Sequence, residues 1–140
     1  MPTRTAKAAW KDTVSKGSGA VELGSGAFKG SYSYGSRFED AKGTNPEELI
    51  GAAHAGCFSM AFSLELENAG YTPVSIATQA KVHLNAEELS ISRIDLTTEA
   101  QVEGIHDAEF QKIAEAAKGG CPVSKALAGV EITLTARLQQ

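Results

Sequence analysis

Positive charge is in short supply in this chain. Thirteen lysines and arginines stand against 17 aspartates and glutamates, for a net charge of −4. A nucleic-acid module carries a basic face, so that class is excluded, and no charge run points to a membrane surface. Cysteine is scarcer still. There are two, Cys57 and Cys121, too few for a disulfide-scaffold mini-protein. Residues 1–7 hold no apolar leader core, so no signal peptide is expected. Long hydrophobic runs are missing as well. The longest uncharged apolar stretch, residues 49–64, contains Gly51, His54, Gly56, Ser59 and Ser63 and is flanked by Glu47, Glu48 and Glu65. A bilayer span needs roughly 20 predominantly apolar residues, so this stretch reads as a buried helix and no membrane partner is expected. The compartment implied is the cytoplasm, where static disulfides are uncommon. Two cysteines there are either apolar filler or redox chemistry.

What is present is globular. Hydrophobic residues make up 42% and charged residues 21%, which argues against disorder and coiled coil. A length of 140 residues fits one domain, 1–140.

The first third has the pattern of strands joined by glycine-rich turns. Ala6, Ala8 and Trp10 share a phase, as do Gly19, Val21 and Leu23, with turn residues between them, which predicts a hairpin. A third extended piece is expected over residues 30–38, holding Tyr32, Tyr34 and Phe38. A helix start follows. Asn45 suits the N-cap, Pro46 suits N1, Glu47 and Glu48 complement the positive helix end, and Glu48 can close a capping box. The helix is expected to run from Pro46 to Asn68. Apolar residues lie on all its faces, which predicts burial on all sides.

Two long strands come next, around Val74 to Leu84 and Leu89 to Val102. The apolar phase slips at Ser92 and Arg93, predicting a β-bulge. A second helix over residues 107–118 carries the stripe Phe110, Ile113, Ala114 and Ala117. A short helix begins at Cys121 and Pro122, and a last strand covers residues 130–138. This order is α+β, with antiparallel sheet and the helices gathered on one side.

Cys57 lies mid-helix, where a cysteine is usually a small hydrophobe. Cys121 lies at a helix start before Pro122, where free N–H groups and the helix dipole favour thiolate. Together the two suit a thiol peroxidase: one thiolate attacks the peroxide and becomes a sulfenic acid, the other condenses with it to a disulfide, and a dithiol resets the pair. A zinc site is the alternative, but His54, His83 and His106 lack ligand spacing to either cysteine and no CxxC exists; no metal is expected.

The run from Arg37 through Asn45-Pro46-Glu47-Glu48-Leu49-Ile50-Gly51-Ala52-Ala53-His54-Ala55-Gly56-Cys57-Phe58-Ser59-Met60 to Ala61 resembles the signature of the osmotically inducible protein C (OsmC) family, and so does Gly120-Cys121-Pro122-Val123-Ser124. The resemblance covers essentially the whole chain and favours the OsmC branch, beside the organic hydroperoxide resistance (Ohr) proteins. It implies an OsmC-like intertwined α+β homodimer, with antiparallel sheets packed around long central helices and two active sites at the interface. It implies reduction of organic hydroperoxides in oxidative or osmotic stress defence. No cofactor is implied, only an external dithiol reductant, lipoyl in the Ohr branch. Carried over by position, Cys57 matches the peroxidatic cysteine, Cys121 the resolving cysteine, Arg37 the arginine beside the reactive thiol, and Glu47 the glutamate that holds that arginine.

The chemistry of those roles is coherent. A guanidinium favours thiolate and offsets the burial that raises a thiol pKa. Glu47 and Cys57 are ten residues apart on one helix, about 15 Å along its axis, so Glu47 is expected to serve the Cys57 of a neighbouring chain. The plainer readings are a solvated Arg37 and a Glu47 that only complements the helix dipole. His54 reads as a packed or hydrogen-bonded histidine, with a role as base the alternative. Ser124 has no triad pattern. Tyr32, Tyr34, Phe38, Phe58, Met60 and Phe62 are core residues or, in part, walls of a pocket for an organic group. The rival to the peroxidase is a dimeric stress-related ligand-binding protein with structural cysteines.

Overall fold

The computed structural model describes residues 1–139. They form two compact units, residues 1–49 and residues 50 onward.

In the first unit, β1 (Ala6–Lys11), β2 (Ser18–Leu23) and β3 (Lys29–Tyr32) make an antiparallel meander in that order. The β1–β2 register pairs Ala6 with Leu23, Ala8 with Val21 and Trp10 with Gly19, the phase expected from the alternation. Gly19 is needed for closeness. A Cβ there would fall 2.6 Å from both the Trp10 and Tyr32 rings, whose centroids are 5.3 Å apart.

The extended piece expected over residues 30–38 ends at Tyr32. Ser33 then caps a short helix, α1 (Tyr34–Phe38). The Ser33 hydroxyl accepts from the Ser36 N–H at 3.1 Å and the Ser36 hydroxyl accepts from the Ser33 N–H at 2.9 Å. This reciprocal cap satisfies two N–H groups that a strand would leave to a neighbour. The Ser36 hydroxyl also donates to the Thr44 carbonyl at 2.7 Å, and the Asn45 amide donates to the Ser36 carbonyl at 3.0 Å. The loop before the long helix is thereby tied to α1.

The long helix, α2 (Pro46–Asn68), has the expected bounds. The Asn45 side chain accepts from the Glu48 N–H at 2.7 Å. The carboxylate of Glu48 does not reach back to complete a capping box; it accepts from the Thr44 hydroxyl at 2.8 Å. Gly70, at φ +94°, ends the helical path in the left-handed region that glycine enters without cost.

In the second unit, β4 (Pro73–Asn85) runs antiparallel to β5 (Ser90–Val102). Ser92 is the extra residue in the register between His83–Arg93 and Leu84–Ile91, the bulge expected from the phase slip. The last strand, β6 (Glu131–Gln139), lies beside β5 and parallel to it. The expectation of purely antiparallel sheets is therefore corrected: this sheet, ordered β4-β5-β6, is mixed. The reason is the crossover through α3 (Asp107–Gly120) and α4 (Pro122–Ala126). A connection of a dozen residues or more can carry the chain back to its starting edge, which a tight hairpin cannot do.

Central β5 turns Ile94, Leu96, Thr98, Ala100 and Val102 inward. Phe58, Phe62 and Leu66 of α2 and the stripe Phe110, Ile113, Ala114 and Ala117 of α3 complete the core. Phe62 stacks tilted on Phe58 and edge-on to Phe110, with centroids 5.6 and 5.2 Å away.

By length and composition α2 could cross a membrane, because its ends extend the short apolar stretch seen in the sequence. Its Phe58, Phe62 and Leu66 edge is instead wholly buried in protein. The expectation that α2 is buried on all sides does not hold within one chain. Ala52, Ala53 and Gly56 are exposed, Met60 is 77% exposed and Leu64 is 54% exposed. One sheet and one helix cover only one face of a helix that is apolar all round.

Candidate active site

α2 carries Cys57 one turn after His54, on a partly covered flank. Cys121 sits where α3 ends and α4 begins. Its N–H still bonds to the Ala117 carbonyl at 3.0 Å, while its own carbonyl accepts from the Lys125 N–H at 3.0 Å. Pro122 sets the first turn of α4, where a missing N–H costs nothing. These elements bring the two sulfurs to 2.8 Å, with both cysteines reduced. A disulfide bond is about 2.05 Å long, so the pair is a hydrogen-bonded dithiol.

The two thiols differ in exposure and in acidity. Cys121 is 0% exposed. Cys57 opens onto a groove of about 630 Å³ that is mostly apolar, shared with Met60, Leu64, Ala117 and Pro122, and has Glu65 and Glu67 on its wall. Burial and then the Cys121 thiol push the Cys57 pKa above the ordinary thiol value, against one lowering contact from the Val123 N–H. For Cys121, burial alone would raise the pKa. The Cys57 thiol, the N–H and hydroxyl of Ser124 and the Val123 N–H outweigh it, and the net direction is down. Both Ser124 and Val123 lie in the first turn of α4, which begins at Cys121. Of the two hydrogen-bonded thiols, Cys121 is thus the more acidic and Cys57 the less, and the two titrate as a unit.

Arg37 and Glu47 meet within the first unit. Arg37 Nε donates to Glu47 Oε1 at 3.0 Å and Nη2 donates to Oε2 at 2.9 Å. This bidentate fork fixes the plane of the guanidinium and leaves Nη1 uncommitted to the carboxylate. The Glu47 side chain is only 9% exposed, that of Arg37 38%. The Arg37 guanidinium also sits 5.4 Å from the Phe38 ring centroid. A recess of about 220 Å³ beside it is walled by Trp10, Tyr32, Tyr34 and Phe38. Arg37 remains exposed to solvent, but it is not unpaired, and Glu47 does more than complement the helix dipole. Of the four residues singled out, each pair closes, Cys57 with Cys121 and Arg37 with Glu47.

Residues 39–135 match the family of OsmC-like proteins. The chain belongs to that family.

As an OsmC-like protein it is 48% identical over 136 residues to peroxiredoxin OsmC of Escherichia coli (strain K12), covering 95% of this chain and 94% of that one. It is 33% identical over 95 residues to the organic hydroperoxide resistance protein OhrA of Bacillus subtilis (strain 168), covering 66% and 67% of the two chains. The fold is that of a crystallised OsmC-like protein from Mycoplasma pneumoniae, with a TM-score of 0.77, 14% identity and 99% of each chain covered. The OsmC-like architecture is α+β, with helices and two small sheets.

The sequence reading missed Ser124. It is buried and its Oγ lies 2.7 Å from Nε2 of His54, which is itself fully buried. A serine three residues past a helix-start cysteine is a capping spacing, the one signal in the sequence that could have flagged it. Among the described residues no cluster of three or more His, Cys, Asp or Glu is arranged to hold a metal.

Proposed function

We propose that this OsmC-like protein is a cysteine-based peroxidase that reduces organic hydroperoxides in stress defence, using an external dithiol and no bound cofactor. The observation that carries the reading is the reduced pair itself: two sulfurs 2.8 Å apart, one lining a mostly apolar groove and the other fully buried. The names of its peroxiredoxin OsmC and OhrA relatives support it.

Cys57 is the attacking group because a hydroperoxide can reach it through the groove. Its thiolate takes the distal peroxide oxygen, the O–O bond breaks, and the leaving alkoxide takes a proton to become the alcohol; Cys57 is now a sulfenic acid. The Cys121 thiolate attacks the Cys57 sulfur, the S–O bond breaks, and hydroxide leaves and is protonated to water. A dithiol such as lipoyl returns two electrons and two protons by exchange through a mixed disulfide. The apolar walls favour alkyl or aryl hydroperoxides over hydrogen peroxide, which has no organic group to bury.

The first step needs a Cys57 thiolate, which its own surroundings disfavour. In this proposal Arg37, steered by Glu47, supplies the missing positive charge at the Cys57 of a second copy. An intertwined homodimer would also cover the apolar stripe of α2. Reduced protein mixed with cumene hydroperoxide should consume it and form a Cys57–Cys121 disulfide. No consumption, or equal consumption by Cys57→Ser, would leave a ligand-binding protein with structural cysteines as the better account.

A further inference from the structure

We infer that His54, acting through the Ser124 hydroxyl, is a positioning residue for Cys121: a neutral hydrogen-bond donor that keeps the second thiol ready to close the disulfide. The inference deepens the peroxidase reading and rests on it for its kinetic consequence.

The geometry limits what His54 can do. Its Nε2 lies 2.7 Å from Ser124 Oγ, and its Nδ1 is buried with no hydrogen-bond partner among the described residues. A neutral imidazole has one donor nitrogen and one acceptor nitrogen. If Nδ1 carried the hydrogen, an N–H would be orphaned in the interior, which native structures rarely tolerate; an orphaned acceptor is less rare. The tautomer is therefore Nε2–H, with His54 donating and Ser124 accepting. The Ser124 hydroxyl proton is then left free of His54, in the first turn of the helix that begins at Cys121, where Ser124 is one of the groups that lower the Cys121 pKa.

The same orphan atom argues against a proton relay. A histidine that took the Cys121 proton through Ser124 would become an imidazolium with a second buried N–H and no acceptor for it. Burial already holds the His54 pKa below its ordinary value. His54 stays neutral and donates.

This matters most at the second step. While both cysteines are reduced, the Cys57 thiol is itself one of the groups that lower the Cys121 pKa. Oxidation of Cys57 to the sulfenic acid removes that thiol. Ser124 and Val123, at the head of α4, remain. A Ser124 hydroxyl pinned by His54 gives Cys121 a support that does not depend on the redox state of its partner.

Two readouts separate this inference from the peroxidase reading. In a Cys57→Ser protein Cys121 is the only thiol, and its titration can be followed by thiolate ultraviolet absorbance, which requires neither reagent access nor peroxidase activity. His54→Leu and Ser124→Ala should each raise its midpoint by about one pH unit, the scale of one hydrogen bond to a charged sulfur. His54→Gln keeps a donor near Nε2 and should titrate close to the parent. If Ser124→Ala and His54→Leu both leave the midpoint in place, the inference fails. If His54→Gln behaves like His54→Leu, the neutral-donor role is wrong. Should His54→Leu not fold, Ser124→Ala carries the comparison. In the two-cysteine protein, one equivalent of hydroperoxide should form the sulfenic acid at the parent rate in His54→Leu and Ser124→Ala. Disulfide closure should slow about tenfold, and His54→Gln should restore it. Loss of sulfenic acid formation in the parent itself would overturn the peroxidase reading while leaving the thiolate titration interpretable.

Discussion

Cys57 and Cys121 are 64 residues apart in the chain and 2.8 Å apart at their sulfurs. One belongs to the long helix and the other to a junction between two shorter ones, so the second unit must be folded before the pair exists. The contact stops about 0.8 Å short of the usual bond length, and small side-chain rotations can close it. The two positions are not equivalent, because one is open to a groove and the other is sealed.

Removing each thiol should therefore have a different consequence. Cys57→Ser should lose peroxide consumption altogether. Cys121→Ser should still react once, since the attacking thiol remains, but its sulfenic acid has no partner. Excess hydroperoxide should carry it to sulfinic and sulfonic acid, which intact-mass spectrometry resolves. Equal turnover in Cys121→Ser and the parent, without a thiol added in excess, would show that Cys121 does not resolve.

Arg37 and Glu47 should affect the first step alone. A cation beside a titrating group commonly moves its pKa by one to three units. Arg37→Ala should thus slow sulfenic acid formation about tenfold or more at neutral pH and raise the pH at which Cys57 alkylates. Glu47→Gln keeps one acceptor for the guanidinium and should be milder. Arg37→Ala also leaves a nearly buried Glu47 carboxylate without its partner, a loss of roughly 1–3 kcal/mol for an unsatisfied group. Melting curves should accompany the kinetics. An unchanged Cys57 profile in Arg37→Ala would remove the arginine from the mechanism.

Asp95 makes a separate prediction about acid stability. The Thr133 hydroxyl, donating at 2.6 Å, together with His83 and then Arg93, holds its carboxyl down to about 2, against an ordinary 3.8. A carboxylate with a depressed folded pKa stabilises the fold above its unfolded pKa and loses that contribution as pH falls through the folded value. Melting temperature should therefore fall between about pH 4 and pH 2. Thr133→Val should move that fall to higher pH, and Asp95→Asn should flatten it. A parent-like acid profile in Asp95→Asn would assign the loss to other carboxylates.

Local signals carried far in this sequence and non-local ones did not. Asn45 and Pro46 mark the start of α2 because capping chemistry is read within four residues, and the bulge at Ser92 is read from a phase slip within one strand. Ser33 and Ser36 were hidden by the alternation of Tyr32, Tyr34 and Phe38, which mimics a strand although the serines cap a helix. The parallel pairing of β6 with β5 depends on which edge the crossover reaches, and no residue within either strand encodes that. Ser124 was passed over because its partner, His54, lies 70 residues away. Arg37 and Glu47 became site candidates only through the family resemblance, since a surface arginine and a first-turn glutamate look ordinary.

The exposed stripe of α2 leads to the last prediction. Met60 and Leu64 stand 77% and 54% exposed on an otherwise apolar face, and burying such side chains contributes on the order of 1.5–3 kcal/mol each. A second copy covering this face would form a dimer that Met60→Glu with Leu64→Glu should convert to monomer, as read by light scattering. Which chain supplies Arg37 can then be decided by mixing an inactive protein with an impaired one. Cys57→Ser retains the arginine and lacks the attacking thiol; Arg37→Ala retains the thiol and lacks the arginine. If Arg37 acts on the cysteine of the other copy, re-paired mixtures contain one complete site per mixed dimer and should recover a substantial part of parental peroxide reduction. If Arg37 acts within its own chain, no mixture contains a complete site and activity stays at the level of the Arg37→Ala protein alone. Recovery in the mixture would place each active site between two chains.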